Sequence, residues 1–137
     1  MTSSIVVSPS PEDIQDIKDG LIKHNSLYLK GLRRYEIANF SFKENGDKSA
    51  GVTGEIWGNW LLIQYLWVDE TQRGNRLGST ILSELEQYAK EQGCHSCLLD
   101  TFSFQARTFY DKMGYTHAMT MDDFPVETKR FYMMKSL

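Results

Sequence analysis

Apolar residues recur at two different periods along this chain, and the changes of period mark its elements. Ile14, Ile17, Leu21 and Ile22 fall at helical spacing, behind Ser10 as an N-cap residue and Pro11 at the first helical position. The pattern predicts a helix over 11–25, with Asp13, Asp16 and Asp19 off the apolar stripe and facing water. Upstream, Ser3 to Val7 ends at a Ser-Pro-Ser-Pro break and predicts a short strand. Ser26 to Arg34, with Leu27, Tyr28, Leu29 and Leu32, reads either as a short second helix or as a loop beside a binding site.

From Tyr35 the period shortens to two. Tyr35 to Glu44 alternates and ends at Asn45-Gly46, a strong hairpin signal. A strand from Ser49 to Trp57 follows, then Gly58-Asn59 as a type II′ turn into a strand from Trp60 to Val68. That last strand is apolar on both faces except at Gln64, which predicts a central strand covered on both sides. Asp69 to Asn75 is a polar loop. Leu77, Ile81, Leu85, Tyr88 and Ala89, widened by Leu82, then mark a helix closed by Gly93. A strand over Cys94 to Asp100, a short helix from Gln105 to Met113 ending at Gly114, and strands over Tyr115–Met121 and Arg130–Lys135 complete the chain. An antiparallel meander plus helical crossovers predicts an α/β (or α+β) fold, a mixed central sheet of six to seven strands with helices on both faces.

A length of 137 residues is one domain's worth, so residues 1–137 are expected to form a single domain. Fifteen lysines and arginines against eighteen aspartates and glutamates give a net charge of −3, which argues against a nucleic-acid partner because phosphate binding needs clustered cations. No apolar run is long enough to span a bilayer, and the first residues lack the basic region and apolar core of a signal peptide, so no membrane partner and a cytoplasmic location are expected. Cys94 and Cys97 are the only cysteines. With His95 between them they lack the second ligand pair of a zinc site, so they are expected in the core and no metal is expected.

The chemistry concentrates where the strand through Leu66, Trp67 and Val68 runs into the helix that begins near Leu77. The loop between them carries Arg73, Gly74, Asn75 and Arg76, and Gly78 and Ser79 follow in the first helical turn. A helix N-terminus offers unsatisfied N–H groups and a positive dipole end, the glycines permit close approach, and the arginines add cations: together, an anion site. There is no G-x-x-x-x-G-K-[ST], and the meander does not match a dinucleotide fingerprint. On spacing alone, an ordinary loop–helix junction with a packing glycine fits equally well.

Leu66-Trp67-Val68 followed by Arg73-Gly74-Asn75-Arg76-Leu77-Gly78 resembles the acyl-CoA signature of the general N-acetyltransferase (GNAT) superfamily, whose members carry R-G-x-G-x-G or a close variant. Ser103 to Tyr115 is similar to the family's N-x-x-A-x-x-L-Y-x-K-x-G-F segment, and the two motifs come in the family's order. The resemblance covers Ala50 to the C-terminus by motif and the whole chain by element order.

The resemblance implies a splayed gap between the strand ending at Val68 and the strand over 94–100, with acetyl-CoA as co-substrate lying in it. The pantetheine would run beside Leu66, Trp67 and Val68, and backbone N–H groups from Arg73 to Ser79 would hold the pyrophosphate. An N–H near Trp67 or Val68 would polarise the thioester carbonyl. Ser103, Ala106 and Phe109 would line the cofactor channel, and Tyr110 matches the tyrosine that protonates the leaving sulfur. Two departures stand out: Arg76 replaces a glycine, at a helix start expected to accept a side chain, and Ser103 replaces an asparagine.

The implied reaction is direct acetyl transfer to a primary amine of a small molecule or an exposed protein amine. An alkylammonium has a pKa near ~10, so the site needs a base, a proton-conducting water or desolvation. Gln64 cannot be that base. Glu55 is the best candidate: with Trp57 opposite Trp60 it would face Leu62 and share a face with Gln64 and Leu66, although a solvated strand glutamate fits as well. Asp69, Glu70 and Asp100, at strand ends, are weaker candidates. Trp57, Trp60, Tyr65 and Trp67 read as core and rim packing rather than a binding cage, and Asp122-Asp123-Phe124-Pro125 lies where family members shape the acceptor pocket. The family also allows a homodimer. A non-catalytic acyl-CoA-binding module of the same fold is the alternative reading.

Overall fold

A computed structural model describes all of residues 1–137, which divide into two units, residues 1–32 and 33–137. In the first unit, helix α1 (Pro11–Leu29) begins as the sequence predicts: the Asp13 N–H donates to the Ser10 hydroxyl at 3.0 Å and Pro11 occupies the first turn. It carries Gly20 without a break, runs through Ser26 and ends at Leu29, just before Gly31 (φ +78°). Asp13, Asp16 and Asp19 face water, yet no residue of α1 is fully buried. The strand expected over 3–7 does not form, and Ile5 and Val7 are exposed. Strand propensity is expressed only where a neighbouring ladder takes up the backbone N–H and C=O groups.

The second unit opens with the expected meander, β1 (Arg34–Phe42), β2 (Lys48–Trp57) and β3 (Trp60–Val68). Gly58 has φ +58° while Asn59 is not left-handed, the combination a type II′ turn needs. Helix α2 (Leu77–Glu91), β4 (Ser96–Phe102), α3 (Arg107–Lys112), β5 (Thr116–Met121) and β6 (Arg130–Ser136) follow. The six strands lie in the order β1-β2-β3-β4-β6-β5, antiparallel except between β3 and β4, which α2 connects. This is a mixed α/β fold. Helix α3 starts at Arg107 rather than Gln105 because the Gln105 Oε1 accepts from the Phe102 N–H at 2.9 Å, tying that residue back to β4.

Ile81, Leu82, Leu85 and Ala89 of α2 bury with Val52, Ile56, Leu61 and Cys97 in one core. Tyr88, counted on that stripe by spacing, stands at its rim, and Glu86 is buried instead. Its carboxylate is satisfied by Lys135 Nζ at 2.7 Å and the Tyr115 hydroxyl at 2.6 Å. Cys94 and Cys97 are both buried free thiols, and burial pushes Cys97 up to about 12. No helix is long and apolar enough to cross a membrane.

Two irregularities shape β3. Against β2 its register runs Trp60↔Trp57, Leu62↔Glu55 and Ile63↔Gly54, then jumps to Tyr65↔Thr53 and Leu66↔Val52, so Gln64 is an extra residue in a β-bulge. Against β4 it pairs at only three positions, Trp60 to Leu62, before the strands part. The expectation of cover on both faces therefore holds for the first half alone: Tyr65 and Trp67 keep 76% and 50% of their surface.

Candidate active site

Register assigns every residue near the gap to one face of the sheet, because directly paired residues point the same way. On one face lie Leu61 and Ile63, then, beyond the bulge, Leu66 and Val68, which pack with the α2 core. On the other lie Leu62, Tyr65 and Trp67 of β3, with Leu98, Asp100 and Phe102 of β4 and their β6 partners Met134, Tyr132 and Arg130. The bulge corrects one expectation: Glu55 does pair with Leu62, but Leu66 is on the opposite face from it.

Where β3 and β4 part, a cleft of about 1090 Å³ opens. One wall is Leu66, Trp67 and Val68 with Arg73, Gly78, Ala106, Phe109 and Tyr110, eight of the residues singled out by sequence. A Cβ at Gly78 would sit 3.3 Å from Val68 Cγ2 and 3.8 Å from the Phe109 ring, so glycine keeps this wall low. The N-terminus of α2 has no side-chain cap: the Ser79 and Thr80 hydroxyls both donate to the Arg76 carbonyl at 2.9 Å, leaving the first-turn N–H groups free of side-chain partners. Such a terminus, with Arg73 beside it, suits an anion.

Arg76 departs from expectation. Its backbone is left-handed (φ 58°, ψ 19°), a conformation that favours glycine, so the arginine side chain is carried at a conformational cost. Gly74 is left-handed too, at φ +87°. Gly74, Asn75, Arg76, Leu77 and Ser79 do not line the main cleft; Asn75 and Leu77 line a separate pocket of about 440 Å³ with Phe42 and Lys43. Ser103 is also outside it, exchanging hydrogen bonds with the Lys129 backbone at 2.9 and 3.2 Å.

Tyr110 reaches the cleft with its ring edge-to-face on Phe109 and Tyr115, at 5.2 and 5.7 Å. Burial, reinforced by the nearby Asp100 carboxylate, pushes its phenol up to about 12, so it stays a neutral proton donor. Glu55 lies outside the cleft lining, ion-paired to Arg34 at 2.9 Å. Asp69 is held by Lys43 at 2.6 Å, a contact that lowers its pKa, and of the carboxylates weighed from sequence only Asp100 lines the cleft.

The far wall was largely illegible in the sequence. Asp100, Phe102, Phe104, Gln105 and Arg130 meet there, and no motif links Arg130 to a residue thirty positions upstream. Tyr65 and Trp67 join the cleft rather than the core. In the 122–125 loop, Phe124 packs against Phe102 at 6.2 Å, and Asp122 pairs with Lys129 at 3.3 Å.

The family model described as "Acetyltransferase (GNAT) family" matches residues 9–115. Blasticidin-S acetyltransferase of Streptomyces morookaense is 34% identical over 119 residues, covering 80% of this chain and 88% of the relative. The crystal structure of an acetyltransferase from Bacillus cereus superposes with a TM-score of 0.87 at 34% identity, covering 98% of both chains. A structure from Agrobacterium tumefaciens covers both chains fully at 0.92 with 20% identity, a likeness of fold.

Proposed function

The chain belongs to the acetyltransferase (GNAT) family and is an acetyl-CoA-dependent N-acetyltransferase, and we propose that it transfers the acetyl group directly to a primary amine of a small molecule within a ternary complex. The observation that carries this reading is the broken β3–β4 ladder, which leaves the edge of β3 from Ile63 to Val68 open to the cleft that Tyr110 also lines. Acetyl-CoA would lie along that edge with its diphosphate at the uncapped N-terminus of α2. The neutral amine attacks the thioester carbonyl carbon, the C–S bond breaks, and Tyr110 gives its proton to the departing sulfur. The attacking nitrogen sheds one proton to water, which restores the phenol. Proton removal falls to water because Glu55 is engaged by Arg34 outside the cleft and Asp100, within it, is engaged by Arg130. The relative named for blasticidin S supports a small-molecule acceptor.

Thermal unfolding with acetyl-CoA, CoA and ATP tests the site first. A ligand at 100 times its Kd adds about 2.7 kcal/mol, so both CoA forms should raise the midpoint by a few degrees and ATP should not. Release of free thiol with a panel of primary amines, blasticidin S included, then tests transfer. Thiol release that no amine accelerates would remove the proposed reaction.

A further inference from the structure

Resting on that reading, we infer that Arg130 anchors a carboxylate carried by the acceptor, so that the substrates are amines that also bear a carboxylate group. Arg130 opens β6 opposite Phe102, on the sheet face that also carries Asp100 and Tyr132, and lines the cleft. Its Nε donates to Asp100 Oδ2 at 2.8 Å, a contact through one of five N–H donors. The paired Nη groups make no hydrogen bond to protein and neither is a buried group left without a partner, on a side chain that is 24% exposed and lines the cleft.

Three rings surround the guanidinium. Its carbon is 4.8 Å from the Phe124 centroid, 5.1 Å from Tyr132 and 5.6 Å from Phe102. Aromatic stacking with the Asp100 contact fixes the plane of the group and leaves its unused edge as a fork, the geometry that binds a carboxylate through two parallel N–H donors. A residue needed only to neutralise Asp100 would not require the other four donors to stay free.

The anion that meets this fork is not the diphosphate of the co-substrate. That group belongs with Arg73 and the α2 N-terminus, reached from the face that carries Leu66 and Val68, whereas Arg130 stands on the opposite face. Beside Arg130, Phe104 stacks on Phe102 at 5.3 Å and keeps 68% of its surface, and Tyr65 keeps 76%. These rings offer an apolar seat for the body of the same acceptor.

The decisive experiment compares primary amines assayed in pairs, each as the free acid and as its methyl ester, by thiol release from acetyl-CoA. The expected result is a kcat/KM at least about ten-fold higher for the acids. Arg130→Lys keeps the charge and loses the fork, so it should raise KM for the acids, reduce the acid-over-ester advantage in kcat/KM by about ten-fold, and leave KM for acetyl-CoA unchanged. Esters turned over as well as acids by the unaltered protein, or an equal loss on both in the variant, would overturn the assignment of Arg130 while leaving acetyl transfer intact. Should the variant fail to fold, the acid–ester comparison on the unaltered protein still decides. No thermal shift with acetyl-CoA, or no thiol release with any amine, would overturn the proposed reaction and this assignment together.

Discussion

Along β3 and α2 the cleft combines an open strand edge with the small Gly78 beside Val68 and Phe109, next to the uncapped terminus of α2. Across the gap, β4 and β6 present large side chains held by one another, with Asp100 on Arg130 and rings from Phe102, Phe124 and Tyr132 around the guanidinium. The first wall suits a long ligand with repeating amides and a diphosphate, because backbone donors recognise such groups without needing a particular side chain. The second suits a short ligand read group by group. One cleft thus joins a generic half and a selective half, and a substitution should disturb one without the other.

The largest expected effect comes from raising the generic wall. Gly78→Leu places a side chain where a Cβ alone already meets Val68 at 3.3 Å, and should weaken acetyl-CoA binding by about 100-fold, or ~2.7 kcal/mol. Calorimetric titration measures it, and an unchanged Kd would show that the ligand does not pass Gly78. Next is the proposed proton donor of the same wall. Tyr110→Phe should lower kcat by about ten-fold or more with KM for acetyl-CoA held, and unaltered turnover would take the proton-donor role away from it.

The pH dependence of stability sharpens the placement of Tyr110. Its phenol is raised from 10.0 to about 12 by burial and the Asp100 charge. Below pH 10 folded and unfolded chains both hold the proton, so the full contribution is present. Between about 10 and 12 the unfolded chain loses it while the folded one retains it, and stability falls as pH rises. Cys97, raised from 9.0 to about 12, acts in the same sense from a lower starting pH. Tyr110→Phe should make the alkaline decline of the unfolding midpoint shallower, and an equally steep decline would place the phenol in solvent.

The smallest effect concerns Arg76. Replacing it by glycine relieves a left-handed backbone that costs a side-chain-bearing residue about 1–2 kcal/mol, offset in part by the greater freedom of glycine in the unfolded chain. Chemical denaturation should show a net gain of up to about 1 kcal/mol, and a loss of stability would mean that the arginine side chain makes contacts outweighing the strain.

Much of the fold was legible because its signals are local. Ser10-Pro11 starts α1, Gly58-Asn59 joins β2 to β3, and the ends of β3 at Trp60 and Val68 fall where predicted. The generic wall was partly legible for the same reason: Arg73 and Gly78, and Ala106, Phe109 and Tyr110, lie in continuous stretches with recognisable spacing, and all five line the cleft. The errors arise where one element depends on another. Residues 3–7 have strand composition without a ladder, Tyr88 and Glu86 exchange places on the α2 stripe, and the bulge at Gln64 puts Leu66 on the opposite face from Glu55.

By itself the sequence determined the order of elements from α1 onward and the two motif-bearing stretches, Leu66 to Gly78 and Ser103 to Tyr115, since each rests on periods and spacings inside one continuous segment. Only the tertiary structure decided that Arg76 is left-handed, that Glu55 pairs with Arg34 away from the cleft, and that Asp100 meets Arg130 beneath three aromatic rings. These depend on strand register and on contacts between residues up to thirty positions apart, and the folded sheet alone sets such distances.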